Sequence, residues 1–119
     1  MTWLWVALAG GVGATLRHLV HVGVRRAGAR SSWATLAVNV VGSFVLGLLV
    51  GWAPRVVPEP AVVILGTGLL GGFTTFSTAS AESAELWRDG RRGAALGLAT
   101  AMLVATTAAA GAGWWLASR

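Results

Sequence analysis

The sequence predicts an all-α integral membrane protein with four transmembrane helices, the third broken at its centre. Three observations predict it. The 119 residues are 55% hydrophobic and only 11% charged, with a mean hydropathy of +0.72. Four apolar stretches, at about residues 3–24, 33–52, 61–87 and 93–117, each reach the roughly 20 residues that cross a bilayer core. The seven tryptophans, Trp3, Trp5, Trp33, Trp52, Trp87, Trp114 and Trp115, fall near ends of those stretches, where an amphipathic ring prefers the headgroup level. The connections are short, so residues 1–119 read as one small membrane domain. Ala7-Leu8-Ala9 matches a signal-peptidase pattern, but no basic segment precedes it and the apolar run is short, so the segment is kept as the first span. There is no cysteine, hence no disulfide and no thiolate metal site. The net charge of +5 comes from arginines alone. They cluster at span ends, which favours membrane anchoring over nucleic-acid binding.

In the first span Gly10, Gly13, Arg17 and His21 follow at steps of three or four and share one face. Two readings of Arg17 stand. It snorkels or contacts a carbonyl, or it attracts an anion at a pore mouth. His18 and His21 read as interfacial, since no carboxylate or third histidine is near them in sequence to complete a metal site. Arg25, Arg26 and Arg30 follow in a connection without acids.

In the second span Thr35, Asn39, Ser43, Gly47 and Gly51 recur every fourth residue as one polar-then-small ridge. Gly47 and Gly51 form a GxxxG pair that admits a second backbone. An amide at mid-membrane is costly unless bonded. Asn39 is therefore either interhelical glue or a pair of N–H donors for an anion. Pro54, Pro58 and Pro60 are expected to stop this helix and start the next.

The third span holds the stretch Gly71-Gly72-Phe73-Thr74-Thr75-Phe76-Ser77-Thr78. Glycines and β-branched hydroxyl residues are poor helix formers. Backbone groups they leave unpaired at membrane depth must find protein, water or an ion. The alternative is a kinked helix whose hydroxyls bond back to their own carbonyls. Glu82 and Glu85 near its end, beside Arg88, read as interfacial ion pairs, with Glu82 alternatively reaching Arg17. In the fourth span Gly93, Gly97, Ala101, Ala105, Ala109 and Gly113 form a small-residue seam suited to tight packing. Thr100, Thr106 and Thr107 are its polar members.

Gly10-Gly11-Val12-Gly13-Ala14-Thr15-Leu16-Arg17, the run from Thr35 through Asn39 to Phe44, and Gly68-Leu69-Leu70-Gly71-Gly72-Phe73-Thr74-Thr75-Phe76-Ser77-Thr78 occur in the order of the CrcB family of fluoride channels, also called Fluc. The chain resembles that family over nearly its whole length, and Glu82 falls where the family carries a glutamate. The resemblance implies an antiparallel, dual-topology-type dimer with two narrow pores that exports fluoride passively across the cytoplasmic membrane and lowers its toxicity. It implies a structural central Na+ on main-chain oxygens, here those of Gly71 and Thr74. It places Asn39, Thr75, Phe76, Ser77 and Thr78 along the fluoride path, with Arg17, Thr35 and Glu82 at a pore mouth or in a structural role. Fluoride is a small acceptor whose water must be replaced by donors, and a phenylalanine edge carries positive potential. One departure stands out: the family's second phenylalanine, three residues after the first, is Ala79 here.

The first and third connections carry Arg25, Arg26, Arg30, Arg88, Arg91 and Arg92, against Arg55 and Arg119 on the other face. The positive-inside rule then puts both termini outside. A fixed orientation together with Ala79 points to one half of a heterodimer whose partner inserts the other way, with a homodimer as the alternative. Competing functions are a small-multidrug-type proton-coupled exporter, which lacks a mid-span acid here, and a structural subunit completing a partner's pore. An enzyme is not expected, for want of a nucleophile–base pair, metal cluster or phosphate loop. Single cysteines placed near Gly28 and near Val57 should label from opposite sides of the membrane, the first from the cytoplasm only. Equal labelling of each from both sides would contradict a fixed orientation.

Overall fold

Backbone polar groups in hydrocarbon must be satisfied within the segment or by protein around it, and this chain does so with helices throughout. The computed structural model describes all residues, Met1–Arg119. Helix α1 is Thr2–Arg26 and α2 is Ser31–Val56. The third rod comprises α3 (Glu59–Val63), a π-helical segment Ile64–Leu70, α4 (Gly71–Phe73) and α5 (Phe76–Arg88). Helix α6 is Arg92–Ala117. Four rods, Thr2–Arg26, Ser31–Val56, Glu59–Arg88 and Arg92–Ala117, are long and apolar enough to cross a membrane. The protein is thus a multi-pass membrane protein.

The helices overrun the expected ends by a few residues. The clearest case is α2, which continues through Pro54 to Val56. Proline disturbs only the turn before it, so a helix already under way can finish its last turn beyond one. Pro58 and Pro60 do start the third rod, as N-cap and first-turn residue. The turns after α1 and α5 each use a left-handed glycine, Gly28 at φ 77° and Gly90 at φ 76°. That conformation closes a helix C-terminus with little strain only for glycine.

The rods associate as two pairs. In the first, α1 lies against the π segment and α4, glycine on backbone: a methyl at Gly13 would strike the Leu69 carbonyl, and one at Gly72 the Gly10 carbonyl. Gly68 sits against Val6 and Ala9 in the same way. On their shared face Gly10, Gly13 and Arg17 meet the third rod, while His21 reaches Thr35 on α2. The π segment was not foreshadowed in the sequence. Its wide turns include Gly71 N–H donating to the Gly66 carbonyl.

In the second pair, α2 lies on α6. Gly47 packs under the Ala110 carbonyl, Gly51 against Ala117 and Trp114, and Gly113 under the Phe44 carbonyl. Residues four apart drift by about 40° per step on a helix of 3.6 residues per turn. The α2 ridge accordingly winds: Thr35 and Asn39 face the third rod, while Gly47 and Gly51 face α6. The same drift corrects the expected α6 seam. Gly113 is packed, but Gly93 and Gly97 have open space around them, and the buried residues of α6 are Ala95, Met102 and Gly113. Only 15 of 119 residues are buried, and the seven tryptophans are all exposed. That leaves the apolar exterior to lipid and to other protein.

Arg55 also closes the end of α6. Its guanidinium donates to the Ala117 carbonyl at 3.0 Å and the Ser118 carbonyl at 2.8 Å, satisfying orphan carbonyls at the end of α6. Gly47→Ala should destabilise the protein by about 1–3 kcal/mol, because a backbone carbonyl cannot yield as a side chain can. Gly97→Ala, in open space, should be neutral or slightly stabilising. Thermal unfolding in detergent of the two variants tests the contrast; equal midpoints would remove the α2–α6 contact from the stability argument.

Candidate functional site in the broken third rod

The third rod loses its helical path at two residues. Thr74 has φ −81°, ψ 160° and Thr75 has φ −149°, ψ 117°, both extended. A helix that breaks inside a membrane leaves backbone donors and acceptors to be accounted for. Thr75 N–H donates to Asn39 Oδ1 at 2.8 Å, and Asn39 Nδ2 donates to the Thr75 carbonyl at 2.9 Å. The Asn39 amide thus pairs with the Thr75 peptide as one strand pairs with another. Arg17 Nη1 donates to the Thr74 carbonyl at 3.0 Å. Thr74 N–H still reaches the Leu70 carbonyl at 2.9 Å, and Thr74 Oγ1 bonds to the same oxygen at 3.0 Å.

After the break, α5 restarts on a side-chain cap. Thr75 Oγ1 accepts from Thr78 N–H at 3.2 Å and donates to Thr78 Oγ1 at 3.0 Å, with Ser77 Oγ at 3.2 Å. Threonine in a β conformation is a favoured N-cap, so Thr75 ends the gap and begins the next helix. Ser77 and Thr78 are occupied in this cap.

A groove of about 510 Å³ opens beside the break. It is lined by Asn39, Thr74, Thr75, Phe76 and Ala79, with Ser43, Ser80, Ser83, Met102 and Thr106 among the rest. Phe76 is 87% exposed, projecting beyond this subunit's own packing. Ala79 lies on the groove wall, whereas Phe73 packs against Gly42 and does not itself line the groove. Phe73 therefore does not stand in for the missing second phenylalanine. Of the residues placed on an anion path in the sequence, Asn39, Thr75 and Phe76 line the groove while Ser77 and Thr78 do not. Sequence reasoning missed Ser80 and Ser83. Their signal was available, since 76, 80 and 83 repeat at helical steps on one face. Ser43 and Thr106, from α2 and α6, come to the groove only through tertiary packing.

Asn39 retains one group for further use. It is 7% exposed, and its second N–H faces Met102 Sδ at 3.5 Å, a weak acceptor. Thr106 is less available, because its hydroxyl already bonds the Met102 carbonyl at 2.7 Å. One turn nearer the start of α2, Thr35 Oγ1 lies 3.0 Å from Glu82 Oε1 and 3.3 Å from His21 Nε2. Glu82 therefore bonds Thr35, not Arg17 or an interfacial arginine. Arg17 bonds a carbonyl, which is the structural one of its two readings. His21 is drawn between helices rather than left at an interface.

The carbonyls expected to hold a cation can be tested against this geometry. Thr75 N–H, the ordinary partner of the Gly71 carbonyl four residues earlier, is taken by Asn39. Gly71 O thereby loses its usual donor. The Thr74 carbonyl accepts from Arg17 but keeps a second lone pair. Neutral main-chain oxygens suit a hard cation. Two of them alone do not fill its shell.

Residues 4–114 match a family model described as CrcB-like protein, Camphor Resistance (CrcB). A protein of Mesorhizobium japonicum named fluoride-specific ion channel FluC is 40% identical over 96% of this chain and 94% of its own length. Fluoride-specific ion channel FluC 1 of Leifsonia xyli is 47% identical over 95% of this chain and 84% of its own. Fluoride-specific ion channel FluC 2 of Mycobacterium bovis is 40% identical over 97% and 90%.

Asn39→Leu removes both partners of the Thr75 peptide. Leaving a buried donor and acceptor unpaired costs about 1–3 kcal/mol each. The variant should unfold earlier in detergent titrations and exchange the Thr75 amide hydrogen faster than wild type. Unchanged exchange at Thr75 would mean that Asn39 does not hold the break.

Proposed function

This chain belongs to the CrcB-like family, and from that premise we propose that it is a subunit of a fluoride-specific channel that lets fluoride leave the cell passively. The observation that carries the reading is the break at Thr74–Thr75, pinned by Asn39 and opening onto a groove with Phe76 at its lip. The relatives are channels named for fluoride, with coverage close to full length. The family is named for ion channels rather than enzymes.

The chemistry of the groove supports the same reading. A dehydrated fluoride needs donors and tolerates no fixed negative charge along its way. None of the residues lining the groove is acidic. The second Asn39 N–H, held only by a thioether, is free to turn to an anion at small cost. The Phe76 ring can present its positive edge. Proton-coupled export requires a titratable acid in the substrate site, which this groove does not supply.

The groove is open on one side, and Phe76 has nothing of this chain against it. A second CrcB-like subunit in the opposite orientation closes the path in this reading. Na+ would bind the carbonyl oxygens of Gly71 and Thr74 with their counterparts, adding fixed positive charge beside the anion path and linking the two breaks. The six-to-two arginine split favours a heterodimer with both termini of this chain outside the cytoplasmic membrane. Relatives numbered FluC 1 and FluC 2 are in keeping with paired paralogues. A second reading, a structural subunit that completes its partner's pore, is favoured by Ala79, which lies on the groove wall.

Fluoride efflux from liposomes tests these readings together. The chain reconstituted with an oppositely biased partner should release fluoride and not chloride. Alone it should release little if a heterodimer is required. Phe76→Ile and Asn39→Asp in the conducting assembly should cut the rate by tenfold or more, about 1.4 kcal/mol per decade. Replacing sodium by a bulky organic cation during purification should lower the active fraction. Robust fluoride efflux by the chain alone would reject the heterodimer, and unchanged rates in both variants would assign this chain the structural role.

A further inference from the structure

We propose that His21, Thr35 and Glu82 form a one-proton site, in which imidazole and carboxyl share a single extra proton through the Thr35 hydroxyl, and that losing it slows passage along the neighbouring groove. The clause on passage rests on the channel reading; the shared proton does not. Three elements build the site: His21 comes from α1, Thr35 from α2 and Glu82 from α5.

While the Thr35 hydroxyl serves either His21 or Glu82, its contacts set the proton count. His21 Nδ1 lies 3.0 Å from the Arg17 carbonyl. A carbonyl only accepts, so Nδ1 carries a hydrogen. His21 Nε2 lies 3.3 Å from Thr35 Oγ1, which lies 3.0 Å from Glu82 Oε1. The hydroxyl has one hydrogen to give. If Thr35 donates it to a charged Glu82, Nε2 must donate to Thr35, and the ring is an imidazolium. If Thr35 donates it to Nε2, the ring is neutral and Glu82 must be the acid, donating to Thr35. Both arrangements contain one proton more than a neutral ring and a carboxylate. They interconvert when one proton moves from Nε2 to Oγ1 as another moves from Oγ1 to Oε1, with no change in total charge.

Removing the shared proton leaves a contact that cannot be repaired. The hydroxyl then serves the carboxylate, and the Nε2 lone pair faces an oxygen lone pair. Turning the hydroxyl to the Ser31 carbonyl at 3.3 Å leaves both other contacts without a hydrogen. Water has little access: Thr35 is 0% exposed, and Glu82 Oε2 is buried without a partner. The surrounding charges do not substitute. Arg17, one turn earlier on α1, is bound to the Thr74 carbonyl. Arg25, one turn later, and Glu85 on α5 are exposed, as is His18. The α2 side brings Thr35 and the Ser31 carbonyl to the site, neither of them charged.

The site is placed to matter for an anion. Thr35 is one turn before Asn39 on α2, and Glu82 adjoins Ser83, which lines the groove. With the proton the pair is neutral overall; without it a full negative charge stands on the neighbours of Asn39 and Ser83 in the groove wall. At an effective dielectric near 20, such a charge lowers anion occupancy by roughly tenfold or more.

The experiment follows both partners in the intact protein in nanodiscs, with nitrogen NMR on His21 and infrared absorption on the Glu82 carboxyl. In wild type and in Thr35→Ser, both signals should change in one step at the same pH, with Nδ1 protonated on either side of it. In Thr35→Val they should separate into two steps. Two independent steps in wild type, unmoved by Thr35→Val, would overturn the shared proton. Fluoride efflux from the conducting assembly should fall by roughly tenfold as pH rises through the common step, and His21→Gln should flatten that profile. A coupled step with a flat wild-type profile would overturn the clause on passage alone. Absence of fluoride flux at every pH would overturn the channel reading and leave the spectroscopic result intact.

Discussion

The pairing of the Asn39 amide with the Thr75 peptide is the constraint on which the rest of the structure depends. A transmembrane helix can be interrupted only if every released backbone group finds a partner in protein, because hydrocarbon offers none. Asparagine is suited to this, having one acceptor and two donors on a short, planar group. It replaces the two bonds that helical continuation would have supplied at Thr75. Arg17 then closes the account at the Thr74 carbonyl, and the Thr75 hydroxyl restarts the helix. Three side chains from three positions in the chain thus convert a local weakness of Gly-Gly-Phe-Thr-Thr into a defined gap.

That gap could not be held without close backbone contact on either side. Gly10, Gly13, Gly68 and Gly72 bring α1 and the third rod together at the level of carbonyl oxygens, which is what lets Arg17 reach across. Gly47, Gly51 and Gly113 do the same for α2 and α6, and so set the position from which Asn39 reaches Thr75. In lipid no hydrophobic gain drives helices together, so small residues that maximise packing contact take its place. The two glycine interfaces are therefore upstream of the site, although none of their residues touches an anion path.

In the proposed pair the groove is one half of an enclosure. An aromatic ring left 87% exposed beside freed backbone and serine hydroxyls is a surface made to be covered. With few buried residues, the chain leaves most of its surface to lipid or to another subunit. The six-to-two distribution of arginines bears on which way this chain faces, and Ala79 bears on how well it lines its own side. Both are properties of the pair rather than of the fold.

The sequence by itself determined the four spans, their order, a weak point near Thr74 and the family. Each is written in local composition or periodicity: apolar runs of bilayer length, tryptophans at their ends, and a glycine–threonine tract of poor helix formers, which left a break and a kink both open. Glycine faces on α1 and α2 were legible for the same reason, since a helix carries its own ruler of three and four residues. Only the tertiary structure decided which partner each polar group takes. Asn39 could serve an anion or a backbone until Thr75 was seen opposite it, Glu82 could take Arg17 or Thr35, and Ser43 and Thr106 met Ser80 only across three helices. Drift of about 40° for each step of four residues moves the two ends of one ridge onto different neighbours. A pattern along one helix does not say which neighbour stands at each angle, and that is set by how the rods pack.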